Sequence, residues 1–379
     1  MTDATDSERS RRDVLKAAAA LAAASALRGR EAAAAEPGRD GLEIRTVRLH
    51  LRHTWTTTMS SSEYRDTIEV RLTREGAVGI GGGAPIVRYD ESAASGTRAL
   101  EAVRPLAREG DPWRAETFLG EAFRELDGQY AARAALDIAL HDWLGKRLGI
   151  PVYRLLGLDP AEAPLTTFSI GIDTPEVTRQ KVREAKEFPV LKIKVGLESD
   201  EATLDAVRSV TGKPLRVDAN EGWKDKETAI RRLEWLKTKG VELVEQPMPA
   251  AMLEEAAWLK ARSPLPLYAD EACLRLTDVP ALSDGFHGVN VKVDKAGGLR
   301  EAIRMIHAAR ASRLQVLLGC MVSSASSTTA AAHISPLADF ADLDGHLLVS
   351  DDPWDGVKVK DGRLILPDGP GLGLVPRKA

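Results

Sequence analysis

Five charged side chains fall at nearly equal intervals through the middle of the sequence. Lys194, Asp218, Glu245, Asp270 and Lys292 follow one another at steps of 22 to 27 residues, each at the end of a short apolar run. If those runs are strands of one sheet, the charges are delivered at one height. Three converging carboxylates repel one another, and burial would leave them largely protonated. A hard divalent cation removes that conflict. Asp218, Glu245 and Asp270 form an all-oxygen set, and none of the seven histidines accompanies them, so the set suits Mg2+ better than Zn2+. The lysines suit proton transfer. A C–H beside a carboxylate is weakly acidic, and a metal that stabilises the enediolate lets an amine remove the proton. Lys192, two residues before Lys194, shares its face in a strand. It supplies a positive neighbour that would lower the Lys194 amine toward a working base, and an N–H donor for the enediolate oxygen. Any one of these charges, alone, reads as a salt bridge or a helix cap. The set carries the chemistry.

The elements that must position them form a repeat. From Leu165 onward, the runs LTTFSI, VLKIKV, PLRVDA, VELVEQ, PLYADE, GVNVKV, QVLLGC and FADLDG alternate with amphipathic stretches such as EATLDAVRSVTG. Eight strand candidates predict an α/β barrel of the TIM type, with its chemistry at the C-terminal strand ends. An open doubly wound sheet is disfavoured, because the dinucleotide fingerprint is missing after the first run. In a ring of eight, the second and sixth strands stand opposite. Lys194 and Lys292 would then flank a substrate, one taking a proton from one face of a carbon and the other returning it on the opposite face. Asn220 and Glu271 sit beside the acidic ligands and are expected to support them. The eighth run carries Asp342 and Asp344, whose i, i+2 spacing puts both carboxylates on one face of a strand and calls for a cation between them. Asp351 and Asp352 read as solvated loop charges.

Residues 41–162 read as a separate α+β block. LEIRTVRLHL and TIEVRL alternate like antiparallel strands, GAVGIGGGAPIVRYDE reads as a strand followed by a Gly-rich loop, and helical periodicity follows to about residue 148. The Gly81–Gly83 run lacks the G-K-[ST] of a phosphate loop. Residues 163–345 form the barrel, and 346–379 a hairpin that returns to the first block. Residues 1–35 stand apart. SRRDVLK, an Ala-rich run and small residues at 32–35 read as a twin-arginine-type signal, which predicts a periplasmic or otherwise exported protein; an Ala-rich tail is the alternative. The chain is 44% hydrophobic with a net charge of −4, which offers no basic surface for nucleic acid. No apolar run reaches the ~18 residues of a membrane span. Cys273 and Cys320 fall two strands apart, too far for a disulfide, and read as small buried side chains. A homo-oligomer is open.

With these residues in view, the chain resembles the enolase superfamily, in its muconate-lactonising subgroup. LKIKVG, RVDAN, VEQP, ADE and NVKVDKAGG carry the resemblance, together with ARAALDIALHDWLGKRLGIPVYRLLG, over residues 42–379. The resemblance implies a (β/α)7β barrel under an N-terminal capping domain that the C-terminal tail completes. The D-x-D of the eighth run resembles the dipeptide epimerases within that subgroup, and TTFSIGIDTPE looks similar to them too. It implies that Asp342 and Asp344 hold the α-ammonium of a dipeptide substrate, with Mg2+ on the acidic triad and epimerisation at the C-terminal residue. Ala-Glu from cell-wall peptide is one candidate. Two places depart from the subgroup: Ser323 stands where many relatives have Glu, and GGGAP where the cap commonly has GEA; both are expected to border the substrate, with Ser323 among the residues that bind it, which leaves the preferred dipeptide open. The cap loop HTWTTTMSSSEYR is expected to close over the substrate side chain, with Arg52 or Arg65 reading an acidic one and Trp55 an apolar one. A racemase or synthase of the same subgroup acting on N-acylated amino acids or succinylbenzoate is one alternative. A non-catalytic periplasmic binding protein is another.

Overall fold

The computed structural model describes residues 40–377. The signal expected in residues 1–35 lies outside them. Three antiparallel strands, β1 (Gly41–Thr56), β2 (Ser61–Arg74) and β3 (Ala77–Gly83), form a sheet in that order. Helices α1 (Ala93–Glu101), α2 (Arg104–Glu109), α3 (Ala115–Glu125) and α4 (Tyr130–Leu148) follow. Ile68, Val70 and Leu72 of β2 pack with Leu136, Leu140 and Trp143 of α4. Each such buried side chain contributes roughly 1.5–3 kcal/mol.

The glycine run expected as a loop is strand. A Cβ at Gly79, Gly81 or Gly83 would stand 1.9, 1.9 or 2.0 Å from the carbonyl oxygens of Ala139, Ala135 and Ala131. Glycine in β3 facing alanine on α4 is what lets the two backbones meet. The loop begins only at Ala84, whose N–H donates to Asp294 Oδ1 at 2.7 Å, so the cap is tied to the barrel at that point.

All eight predicted runs are parallel strands: β4 (Phe168–Ile170), β5 (Leu191–Lys194), β6 (Leu215–Asp218), β7 (Val241–Glu245), β8 (Leu267–Ala269), β9 (Gly288–Lys292), β10 (Gln315–Gly319) and β11 (Phe340–Asp342). Each pairs with the next in sequence, and a parallel bridge from Thr166 to Ala341 joins the last to the first. Alternation sorts the side chains. In β5, Leu191 and Ile193 join the hydrophobic shell, while Lys192 and Lys194 lie on the other face, at the barrel mouth. The helices α5 (Val152–Leu155), α6 (Pro175–Glu184), α7 (Asp200–Arg208), α8 (Lys226–Thr238), α9 (Leu253–Lys260), α10 (Val279–Leu282), α11 (Val293–Ala296), α12 (Leu299–Ala311) and α13 (Ala325–Ile334) are the remaining α-helices among the described residues.

The tail returns to the cap as expected. Leu372 N–H donates to Asp142 Oδ1 of α4 at 2.7 Å, and Trp354 Nε1 to Glu69 Oε2 of β2 at 2.7 Å. Asp352, expected in solvent, is 4% exposed. Its carboxylate accepts from Ser324 Oγ, Ala325 N and Trp354 N, and so caps the start of α13. Asp351 is exposed and pairs with His50. Both cysteines are free thiols; Cys273 is buried, and Cys320 is partly exposed on the cavity wall.

Candidate active site

Strand register supplies the common height that the spacing implied. Lys194, Asp218 and Glu245 are aligned across β5, β6 and β7, and Lys292, Gly319 and Asp342 across β9, β10 and β11. Asp270 follows directly on β8. One oxygen each from Asp218, Glu245 and Asp270 lies within 4.8 Å of the other two. All three residues are buried. Burial pushes Asp218 and Asp270 up, but the facing lysines outweigh it and hold both below the ordinary carboxylate range. Glu245 is driven well above it by burial and by Asp218. An all-oxygen triad at this spacing fits a hard divalent ion. Beside it, Asn220 Oδ1 and Glu271 Oε2 are buried without a hydrogen-bond partner. The Asn220 amide donates to Glu271 Oε1 at 3.0 Å, and burial raises the Glu271 carboxyl to about 8.

The lysines surround the triad. Lys194 Nζ donates to Asp218 Oδ2 at 2.6 Å, and Lys292 Nζ to Asp270 Oδ2 at 2.8 Å. They stand on β5 and β9, four strands apart in the ring. Lys192 is not merely a positive neighbour of Lys194. Its Nζ lies 2.9 Å from Glu245 Oε2, 2.6 Å from Asp342 Oδ2 and 3.1 Å from Asp218 Oδ2. Burial would lower Lys192 and Lys292, yet the carboxylates around them prevail and both stand above the ordinary lysine range.

Asp342 and Asp344 converge, though not by sharing a strand. β11 ends at Asp342, and Asp344 has φ −102° and ψ 2°. Ser169 joins them instead. Its hydroxyl is 3.3 Å from one oxygen of each carboxylate, and its N–H donates to Asp344 Oδ2 at 2.6 Å. Thr167 Oγ1 donates to Asp342 Oδ1 at 2.6 Å. Part of the cation that the pair calls for is therefore Lys192, on Asp342. Among the described residues Asp344 has no such partner, and burial together with Asp342 raises it to about 7.

Lys192, Lys194, Asp270, Lys292, Asp342 and Asp344 line one cavity of about 600 Å3, bounded on the cap side by Trp55, Met59, Arg65 and Tyr89, while Asp218 and Glu245 are buried beside Asp270. Arg65 reaches the cavity, and among the described residues it donates only to the Tyr64 carbonyl. Arg52 does not line it: its Nε donates to Leu347 O at 2.9 Å beside a small adjoining space of about 60 Å3. Ser323 also falls outside the cavity wall. It is buried with its Oγ 3.3 Å from Thr328 Oγ1, while Cys320, Met321 and Val322 form the wall after β10. The sequence reading missed Thr167, Ser169 and Asn290, whose amide donates to Glu245 Oε1 at 2.8 Å. All three lie within strand runs already quoted, but a neutral side chain carries no signal until its charged partner is placed. It also missed Gln246, whose side-chain oxygen takes the Asp270 and Ala272 N–H groups. Asn220, Glu221 and Gln246 hold positive φ values of 41°, 62° and 34°, so the backbone is strained just beyond Asp218 and Glu245.

Comparison with known proteins agrees with this geometry. Residues 41–157 match the mandelate racemase / muconate lactonizing enzyme N-terminal domain, and residues 176–379 the enolase C-terminal domain-like family. The chain is 42% identical over 328 residues to an L-Ala-D/L-Glu epimerase of Bacteroides thetaiotaomicron, covering 86% of this chain and 85% of that one. It is 41% identical over 335 residues to an L-Ala-D/L-amino acid epimerase of Pedosphaera parvula, covering 86% and 96%. A crystal structure of a dipeptide epimerase from Enterococcus faecalis, complexed with Mg and L-Leu-L-Tyr, superposes with a TM-score of 0.82 at 30% identity, covering 88% and 99%.

Proposed function

Because this chain belongs to the enolase superfamily, in the mandelate racemase / muconate lactonizing enzyme family, we propose that its cavity inverts the α-carbon of the C-terminal residue of a dipeptide. It is a dipeptide epimerase, an isomerase with magnesium as cofactor. Asp218, Glu245 and Asp270 would hold the ion, which when bound supplies positive charge to a substrate carboxylate and so acidifies the neighbouring C–H. Lys194 and Lys292 act from opposite sides of that carbon, one removing the proton and the other delivering one to the other face. Lys192 donates N–H to the carboxylate oxygen as negative charge builds on it. Asp344 and Asp342, organised by Ser169, receive the α-ammonium, and this fixes which end of the peptide reaches the lysines.

The observation that carries the reading is the order of charges across one cavity. A cation-seeking pair lies at one edge, an acidic triad reaches the wall through Asp270, and two lysines stand four strands apart. Arg65 supports an acidic C-terminal side chain: it is half-buried, lines the cavity and donates a hydrogen bond to the Tyr64 carbonyl, with no carboxylate paired to it among the described residues. Ala-Glu from cell-wall peptide fits that preference, and so does the export signal proposed for residues 1–35. Epimerisation of Ala-Glu, Ala-Leu and N-acetyl-Ala-Glu by the wild type and by the double variant Asp342→Asn/Asp344→Asn tests the assignment. The wild type should turn over the free dipeptides and discriminate against the acetylated one. The double variant should lose about 100-fold or more, as expected for removing one side of a buried charge pair. Equal turnover of free and acetylated substrates would point to an N-acylamino acid racemase instead.

A further inference from the structure

Lys295 is a lysine that this proton-transfer scheme does not use. It stands on α11, three residues beyond Lys292, and its side chain is 0% exposed. Its Nζ donates to Asp270 Oδ1 at 2.6 Å, to the Asp270 carbonyl at 2.6 Å and to the Asn290 carbonyl at 3.1 Å. Three acceptors match the three ammonium protons, and Lys295, unlike Lys192, does not line the cavity. Lys292 takes the other oxygen of the same carboxylate, Asp270 Oδ2, at 2.8 Å. The backbone on either side is also held. Gln246 Oε1 accepts the Asp270 N–H at 2.9 Å, and Arg275 Nη1 donates to the Lys295 carbonyl at 2.6 Å. The Arg275 guanidinium in turn lies 3.0 Å above the Tyr130 ring at the start of α4, so this brace runs into the cap.

We propose that Lys295 is a positioning residue that occupies Asp270 Oδ1, so that Asp270 presents Oδ2 alone toward the magnesium site and toward Lys292. The torsion that turns a carboxylate about its last bond is broad and soft. Without Lys295, Asp270 could swing to offer either oxygen or both, and Lys292 would lose its fixed partner. Lys194, which is oriented by Asp218 instead, would be affected less. The proposal rests on the reading of Asp270 as a metal ligand and Lys292 as one of the two bases.

The test compares wild type, Lys295→Met, which keeps the length but removes the donors, and Lys295→Gln, which restores an N–H donor. Affinity for Mg2+ alone is measured by calorimetric titration with MgCl2. Exchange of the substrate α-proton in D2O is measured separately from each epimer. In Lys295→Met, Mg2+ affinity should fall about 10- to 100-fold, the range for losing a partner of a metal ligand. Exchange should fall more for the epimer that depends on Lys292 than for the one that depends on Lys194, and Lys295→Gln should recover part of both losses. A wild type that binds Mg2+ and exchanges protons, beside a Lys295→Met variant unchanged in affinity and in the ratio of the two exchange rates, overturns the role of Lys295 and leaves the functional reading standing. A wild type that does neither overturns both. If circular dichroism shows both variants unfolded, Lys295 is a folding residue and the positioning role falls.

Discussion

At the scale of residues, the two lysines make separable claims. In a two-base exchange each amine serves one epimer, so replacing one should not abolish proton removal from both. Lys194→Met should lose net epimerisation while still exchanging the α-proton of one epimer in D2O, and Lys292→Met should do the same for the other. Proton NMR of each pure epimer checks this. Exchange of both epimers by either variant would show that a single base serves both faces. The charged members of the site were legible in the sequence because strand spacing alone fixes their height. The ion pair between Lys192 and Asp342 was not, since it joins β5 to β11 and appears only when the barrel closes. Ser323 was misread for a related reason. A loop residue between two cavity-lining neighbours gives no sign of which way it turns, and this one turns toward Thr328.

At the scale of elements, the meeting of β3 and α4 decides how the cap sits. Gly81→Ala would force a methyl group to 1.9 Å from the Ala135 carbonyl, a backbone atom with little room to give. Overpacking of this kind costs typically ~1–3 kcal/mol. Urea denaturation of the variant should show at least that loss, whereas Gly120→Ala, on the helix α3 with nothing near its Cβ, should not destabilise. The eight barrel strands were legible because each is a short apolar run bounded by polar turns. The glycine strand was not, because glycine reads as a turn unless the facing helix is known. Asp352 was hidden in the same way: its work is to cap α13, an element that begins 27 residues earlier at Ala325. Asp352→Ala should cost about 1 kcal/mol, and up to about 2 for a buried cap, in the same denaturation assay.

At the scale of the whole molecule, acid stability should report a buried histidine. His333 stacks on Tyr153 and accepts the Tyr153 N–H at 3.1 Å through Nδ1, and burial lowers its pKa to about 4. In the unfolded chain a histidine titrates near ~6.5. The folded state therefore binds fewer protons between those values. The stability due to neutral His333 is intact above about pH 6.5 and declines as pH falls toward about 4, by at most ~3 kcal/mol. The unfolding free energy of His333→Gln should be flatter over that interval than that of wild type. An equal slope would mean that His333 does not titrate as described. Export is a separate proposal on this scale. Residues 1–40 fused to a folded reporter should send it to the periplasm of a bacterium with a working twin-arginine pathway, and Arg11→Lys/Arg12→Lys should retain it in the cytoplasm.

The central claim is that one cavity removes and returns the α-proton of the C-terminal residue of a dipeptide. It is tested most directly by incubating the purified protein with MgCl2 and Ala-Glu in D2O and following both α-protons by NMR. Deuterium should enter at the glutamate α-carbon alone, starting from either epimer, with the alanine α-proton untouched, and Asp342→Asn/Asp344→Asn should slow the exchange by about 100-fold or more. No exchange in any member of a dipeptide library, or exchange at the N-terminal residue, would contradict the account.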